Sequence, residues 1–509
     1  MKAWHSLLTR TAVAPLLVLA AFTVSCREAG EPTAPGVQAA RAGDNDGGSP
    51  TVSSVVPGSS ERGVTLDITV NGSGFDSGSV ARLERQGVPS AKITTNSTTY
   101  VTSTNLIANI TIAADADTGK YDVGVTNLRG RKGVGVELFD VRYELVDVGV
   151  IGGTWSKAMA INDRGQVVGT SCTQSCASRA FFWTERGGLE DLGTLPGFTR
   201  SGAYSINNRG QVLGNVRCPA ADSGCGSGSS ELVVWERFGG RWNATRLGIP
   251  GFIEDGDINN WGQFVAMGRL YSLSGDLAEA PRARLGAPKR APGQVAAAVR
   301  EPLPHLGPPT ATSYARAIND LGVVVGQSVP NDGTGAAEAV FWFRDQSGTW
   351  RILALGHLPG QNISLVEDIG EVDLAGRIRV VGNSAVAYAR DGAHHPVRWT
   401  LERDGTGGWR VAEVEALQLP PKATRSAWVW GVNAEGDAVG DYSYRADGDG
   451  GYGYADAVVW LPSGDVEWLL PAPTGGWARA RDINKAGRIV GSVWDNARAC
   501  ERAAFWRPR

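Results

Sequence analysis

Apolar residues in this chain recur with period two, in short runs, and almost never with the period of a helix. The clearest unit is Ala158, Ala160 and Ile161, then Asn162-Asp163-Arg164-Gly165, then Gln166-Val167-Val168-Gly169. It reads as a strand, a tight polar turn and a second strand. Asn caps the turn with its side chain, and the Gly three residues on supplies the positive φ that closes it. The unit returns at Asn207/Gly210, Asn259/Gly262, Asn319/Gly322, Asn433/Gly436 and Asn484/Gly487, with a weaker copy at Asp373/Gly376. A second Gly follows at Gly169, Gly214, Gly326, Gly440 and Gly491, and the two shifted copies end at Gly268 and Gly382. The turn Asn residues are read as turn chemistry, not as ligands.

Each repeat carries four strand-like runs, in the first at residues 158–162, 166–171, 179–183 and 189–192. The third run ends in Trp183, Trp235, Trp342, Trp399, Trp460 and Trp506, and the third repeat lacks that Trp. Four short strands per unit of about fifty residues predict a β-propeller with one blade per repeat. A lone run at 145–149 precedes the first repeat, and the last repeat stops after its third run. The ends are complementary, so the first run is expected to supply the outer strand of the last blade and remove two open edges. The alternative, an open solenoid, leaves that complementarity unexplained.

Residues 51–141 show the same short alternating strands without the repeat. Residues 64–70 alternate into Asn71-Gly72-Ser73-Gly74-Phe75, and Gly119-Lys120-Tyr121-Asp122-Val123-Gly124-Val125 alternates again. About ninety residues of this kind predict a small β-sandwich. The fold class expected is therefore all-β: an immunoglobulin-like β-sandwich followed by a seven-bladed β-propeller closed by an N-terminal strand. Ahead of both, Lys2 and Arg10 precede an apolar stretch at 12–24, the pattern of an export signal over residues 1–26. Residues 27–50 have no apolar periodicity and read as a flexible linker.

Three resemblances follow from these residues. Thr23-Val24-Ser25-Cys26 resembles a bacterial lipobox, which implies a lipidated Cys26. Pro57, the Gly72/Gly74/Phe75 turn and the Gly119 strand resemble the IPT/TIG family of immunoglobulin-like domains, which implies a spacer or adhesion module. Asp191-Leu192-Gly193-Thr194-Leu195-Pro196-Gly197, the Ser205–Gly214 unit and Arg179-Ala180-Phe181-Phe182-Trp183 resemble the HAF family of extracellular repeats over nearly all of 143–509. That family implies export and supplies no activity to carry over.

Composition narrows the chemistry. The formal net charge is -3 with acids and bases mixed, which leaves no basic surface for nucleic acid. Five His residues limit His-based catalysis, and no metal site or cofactor motif is found. Cys172 with Cys176, and Cys218 with Cys225, fall in equivalent loops of successive repeats, so two local disulfides are expected in an oxidising compartment. Cys500 is left over. Metal binding is the alternative, with poor spacing for zinc.

The loops opposite the Asn turns are long and variable, where function tends to sit. Aromatics fall there: Trp155, Phe252, Trp428, Trp430 and Trp477. They are candidate binding residues for a sugar or a protein, and packing between blades is the competing role. Asp and Glu are read as scattered and for the most part not recurring in one position. The sequence thus favours a monomeric, non-catalytic binding or adhesion protein at the cell surface or outer membrane. It would meet the membrane through its lipid only and recognise a glycan or surface protein. A polysaccharide-acting hydrolase or lyase on the same scaffold is the alternative.

Overall fold

The computed structural model describes residues 48–113, 116–218, 229–251, 256–273, 298–330, 336–386, 394–419, 426–444, 454–464, 466–469 and 476–507. Cys26, the leader and most of the linker lie outside them. Every regular element among the described residues is a β-strand, and none of the described residues forms a helix long and apolar enough to cross a membrane.

Residues 51–142 fold into two sheets. One has the order Thr51–Val56, Thr65–Ser73, Asn105–Ile112, Ile93–Thr102. The other runs Ser59–Glu61, Lys132–Arg142, Gly119–Thr126, Val80–Arg85, Val88–Pro89. The alternation read in the sequence buries one face of each. Ile68, Val70, Leu106 and Ile110 meet Leu83, Tyr121, Val123 and Phe139 in a single core.

The rest forms seven four-stranded antiparallel sheets among the described residues. Sheet one contains Ser156–Ile161, Val167–Cys172, Ser178–Thr184 and Gly188–Asp191, close to the four runs expected. The first strands of the seven sheets are Ser156–Ile161, Arg200–Ile206, Gly256–Ile258, Thr312–Ile318, Ile363–Ile369, Ser426–Val432 and Ala478–Ile483. Each touches its counterparts on both sides around the whole circuit, so these strands are innermost. The architecture is propeller-like. Its last sheet is completed by Glu144–Asp147, which pairs antiparallel with Cys500–Arg507 from Glu144↔Arg507 to Asp147↔Ala504. Arg502 clasps Asp147 at 2.9 Å, and Arg507 pairs with Glu144. The edge strand expected to join the two ends of the ring is in place.

Apolar cores lie between neighbouring sheets. Val212 and Trp235 of sheet two pack on Val168 and Phe182 of sheet one, and Val490 and Phe505 of sheet seven pack on Val167 and Phe181. The third-strand Trp residues are almost wholly buried. The indoles of Trp342, Trp399 and Trp460 donate to the carbonyls of Pro304, Gly356 and Gln418, at 2.7, 3.2 and 2.8 Å, in the connection leaving the preceding sheet. A large apolar body with one donor suits that position.

The turn Asn has a second task. Asn162 Oδ1 accepts from Arg164 N and Gln166 N, capping its own turn as expected. Its Nδ2 donates to the Asn207 carbonyl of the next sheet at 2.9 Å. The stitch repeats from Asn207 to Asn259, from Asn259 to Asn319, from Asn433 to Asn484, and from Asn484 back to Asn162 at 2.9 Å. Sheet five requires a correction. Asn319 reaches the carbonyl of Gly370, not of Asp373. Asp373 does cap a turn, accepting from Ala375 N and Arg377 N, but at the tip of a longer hairpin. Gly370 holds the stitching position because a Cβ there would sit 2.7 Å from the Asn433 carbonyl oxygen.

The second Gly has its own cause. In six of the seven sheets the innermost strand carries a β-bulge: between Ala158/Ala160, Ala203/Ser205, Ala315/Ala317, Val366/Asp368, Val429/Gly431 and Ala480/Asp482. The bulge drops a carbonyl onto the facing strand. A Cβ on Gly169, Gly214, Gly326, Gly382, Gly440 or Gly491 would lie 1.9–2.1 Å from that oxygen. Only Gly fits.

Candidate functional site

Each bulge frees one residue from the ladder, and these residues meet at the ring axis. They are Met159, Tyr204, Arg316, Glu367, Trp430 and Arg481, each three positions before the stitching residue. Together with Gly256 of sheet three they line a cavity of about 140 Å³. Small buried residues flank several of them: Ala158, Ala160, Ala315, Ala317 and Ala480. What the sequence reading missed is that the residue inside each bulge points inward. The signal was its fixed place three before Asn; the residue types there share nothing.

Arg316 is held by Glu367 through Nε at 3.1 Å and through Nη2. Arg481 lies 4.3 Å over the Trp430 ring. Trp430 Nε1 donates to buried Asp441 at 2.7 Å. Trp428 stacks beside Trp430 with centroids 5.6 Å apart, and His394 lies 4.1 Å from Trp428. An aromatic row thus runs from sheet five to the axis and ends under a guanidinium.

The floor of the cavity is acidic. Asp257, Asp368 and Asp482 occupy one position, each followed by Ile and then the stitching residue. This corrects the expectation that acids mostly do not recur. Asp257 accepts from Ile258 N and from Ile318 N of the next sheet, at 2.8 and 2.9 Å. Asp368 accepts from Val432 N at 2.9 Å, and Asp482 from Ile483 N and Ile161 N at 2.7 and 2.8 Å. Each carboxylate staples one joint of the ring. Burial raises the Asp257 carboxyl above its usual range. Burial and the charges of Asp482 and Asp257 hold Asp368 well above it, and burial pushes Asp482 up to about 7.

Beyond the floor the channel opens on the turn face in a mouth of about 260 Å³, whose rim includes Asp163, Asp320, Glu371 and Lys485. Burial, with the neighbouring charge of Asp320, pushes Glu371 up to about 7. No group of His, Cys, Asp and Glu among the described residues is arranged to hold a metal.

The aromatic candidates separate. Trp430 lines the cavity and Trp428 adjoins it. Trp477 stacks on Trp494 at 6.1 Å with Arg479 over it, and does not line the cavity. Trp155 is half-buried in the entry loop, its N–H 3.2 Å from Cys172 Sγ. Phe252 lies outside the described residues.

The cysteine expectation is corrected in part. Cys172 and Cys176 are both free. Cys172 is buried and its sulfur accepts from Thr154 N and Trp155 N, while Cys176 is exposed on a tight turn at φ 60°. The two side chains serve opposite sides of the loop. Cys218 is disulfide-bonded, and its expected partner Cys225 lies outside the described residues. Cys500 is free and buried.

No family model matches the chain, and no curated protein matches it. Several solved structures are similar. A catalytically inactive virginiamycin B lyase from Staphylococcus aureus with quinupristin is 10% identical, with TM-score 0.37, over 72% of this chain and 100% of that one. A protein of unknown function from Bacteroides thetaiotaomicron is 10% identical, with TM-score 0.30, over 91% and 98%. A variant of the Aleuria aurantia lectin in complex with Fucalpha1-6GlcNAc is 10% identical, with TM-score 0.28, over 70% and 92%. At such scores the likeness decides neither fold detail nor function, and the chemistry must be read from the axial cavity of this chain.

Proposed function

We propose that this chain is a lipid-anchored envelope protein, with an IPT/TIG-type immunoglobulin-like sandwich carrying a seven-bladed propeller of HAF type. We propose further that the propeller binds a glycan at the loop-side end of its axial channel, without cleaving it. One observation carries this reading: the bulges deliver Tyr204, Trp430, Arg316 and Arg481 to a single polar cavity. Aromatic faces pack on the apolar face of a sugar ring, and guanidinium and phenol groups bond its hydroxyls. Acid–base catalysis would need a carboxyl free to move a proton at the substrate. The floor carboxylates instead hold backbone N–H groups, and Glu367 holds Arg316.

The test is a glycan array with the Cys26→Ala protein, run beside an activity screen on the same glycans. Binding without product is expected, weakened about tenfold by Arg481→Gln or Trp428→Ala, the size of one lost cation–π or polar contact. Oligosaccharide release by the unmodified protein would overturn the binding reading in favour of a hydrolase or lyase. Anchoring is tested apart: the unmodified protein should enter the detergent phase and Cys26→Ala should not.

A further inference from the structure

The turn face is not uniform around the ring. At sheets three, four and five it carries Trp261, Leu321 and Leu374, exposed by 63%, 52% and 107%. These three sit on the turns of successive sheets, which hydrogen bonds link. Trp261 reaches over sheet four and donates Nε1 to the Asp320 carbonyl at 2.7 Å, beside Leu321. Asp320 N donates to Glu371 Oε1 at 2.8 Å, which ties sheet four to the hairpin that carries Leu374. That hairpin is longer than its counterparts: Gly370 N bonds the Arg379 carbonyl, where Asn207 N bonds that of Gln211. Its extra length lifts Leu374 clear of the body. Large apolar side chains gathered on a raised strip mark an interaction surface.

The charge beside the strip selects its occupant. Asp163, Asp320 and Glu371 stand at the channel mouth, with the three floor aspartates below them, and Lys485 is the one cation among the described lining residues. We infer that the turn face of sheets three to five docks a basic segment of a protein partner. Apolar residues of the segment cover Trp261, Leu321 and Leu374, and one Lys or Arg side chain enters the mouth. A cation there meets carboxylates in a partly desolvated funnel, where attraction is stronger than at an open surface. This site is on the opposite face from the proposed glycan site and stands independently of it.

The test uses the full chain and three synthetic peptides: alternating Leu/Lys, alternating Ser/Lys and alternating Leu/Glu. The Leu/Lys peptide is expected to bind at least tenfold tighter than either other peptide. Trp261→Ser with Leu374→Ser should remove that advantage. Both side chains are exposed and Trp261 loses a single surface hydrogen bond, so the melting temperature should fall by a few degrees at most and any glycan binding should stay unchanged. Binding should also strengthen as pH rises through about 7, where Glu371 ionises, and Glu371→Gln should flatten that rise. Equal binding of the Leu/Lys and Ser/Lys peptides would overturn the proposal, because charge alone would then account for it. Undiminished binding to the doubly substituted protein would overturn it too. So would sedimentation of the free protein as a dimer that the same substitutions dissolve, since the strip would then belong to a second copy.

Discussion

Sheet three and the other six sheets part at the facing pair of Gly256 and Ala266, and that difference explains the second Gly of the repeat. Where the others place Gly169, Gly214, Gly326, Gly382, Gly440 or Gly491, sheet three has Ala266. Its innermost strand pairs without a break, Gly256↔Ala266, Asp257↔Val265 and Ile258↔Phe264. Where the Gly is absent, so is the bulge, and no side chain is delivered to the axis: Gly256 lines the cavity with backbone alone. The second Gly is therefore the residue that permits the bulge, and the bulge is what aims the residue three before Asn into the channel. The structural period and the axial position are one feature.

Substitutions at this pair put the comparison at risk. Gly440→Ala sets a Cβ 1.9 Å from the Trp428 carbonyl oxygen and 2.9 Å from the Trp460 ring. Overpacking against backbone should cost about 3 kcal/mol or more, and either unfold the sheet or erase the bulge and withdraw Trp430. A denaturant melt reads the first outcome and loss of Trp430-dependent binding the second. Removing one stitch, by Asn207→Ala, should cost about 2 kcal/mol, since it strips both a turn cap and an inter-sheet bond. Ala266→Gly in sheet three should cost about 1 kcal/mol or less, the entropy of an added Gly. If Gly440→Ala proved as mild as Ala266→Gly, the bulge would not be the reason for the Gly.

The floor carboxylates make a smaller, pH-dependent contribution. Asp482 and Glu371 are raised to about 7, and Asp257 and Asp368 are raised as well. A folded carboxyl with a raised pKa holds its proton more tightly than the unfolded chain does. Its stabilising contribution is complete below the unfolded value near 4 and is lost as pH rises through about 7. The ring should therefore melt at a higher temperature in mildly acidic buffer than in mildly alkaline buffer. The carboxyls lowered by local hydrogen bonds, Asp345, Asp373 and Asp404, act only in stronger acid and leave this window clear. Asp482→Asn should flatten the slope; an unchanged slope would mean that the axis does not set it.

Strand positions were legible in the sequence because alternation and turn chemistry are local. Asn162 announces its turn without reference to anything distant, and Glu144–Asp147 announces the missing edge by arithmetic on the runs. The inter-sheet stitch was not legible, because the same Asn side chain satisfies the local rule whether or not a neighbour is present. Gly370 illustrates the limit: it holds the stitching position with no side chain, while Asp373 keeps the visible turn motif. The channel lining was hidden for a different reason. A bulge shifts the inward and outward alternation by one residue, so Met159, Tyr204 and Glu367 fall out of phase with the pattern that betrays a buried face. The aromatic candidates were found by type; among the described ones Trp430, on a bulge, lines the axis and Trp428 adjoins it.

Every one of these contrasts presumes a closed ring. Four residue pairs, Glu144↔Arg507 to Asp147↔Ala504, bind the first strand of the ring to the last. Deleting 144–147 from the full chain removes that ladder, the Arg502–Asp147 and Arg507–Glu144 ion pairs, and the cover that Leu145 and Val146 give their cores. At about 1 kcal/mol per hydrogen bond, with the apolar contacts added, the loss is several kcal/mol, comparable with a domain's whole margin. A thermal melt of the deleted chain against the intact one is the most direct measurement. A closed ring predicts a large fall in melting temperature, with aggregation. An unchanged melt of the ring would mean that Glu144–Asp147 does not close it, and an open array of sheets would be the better description.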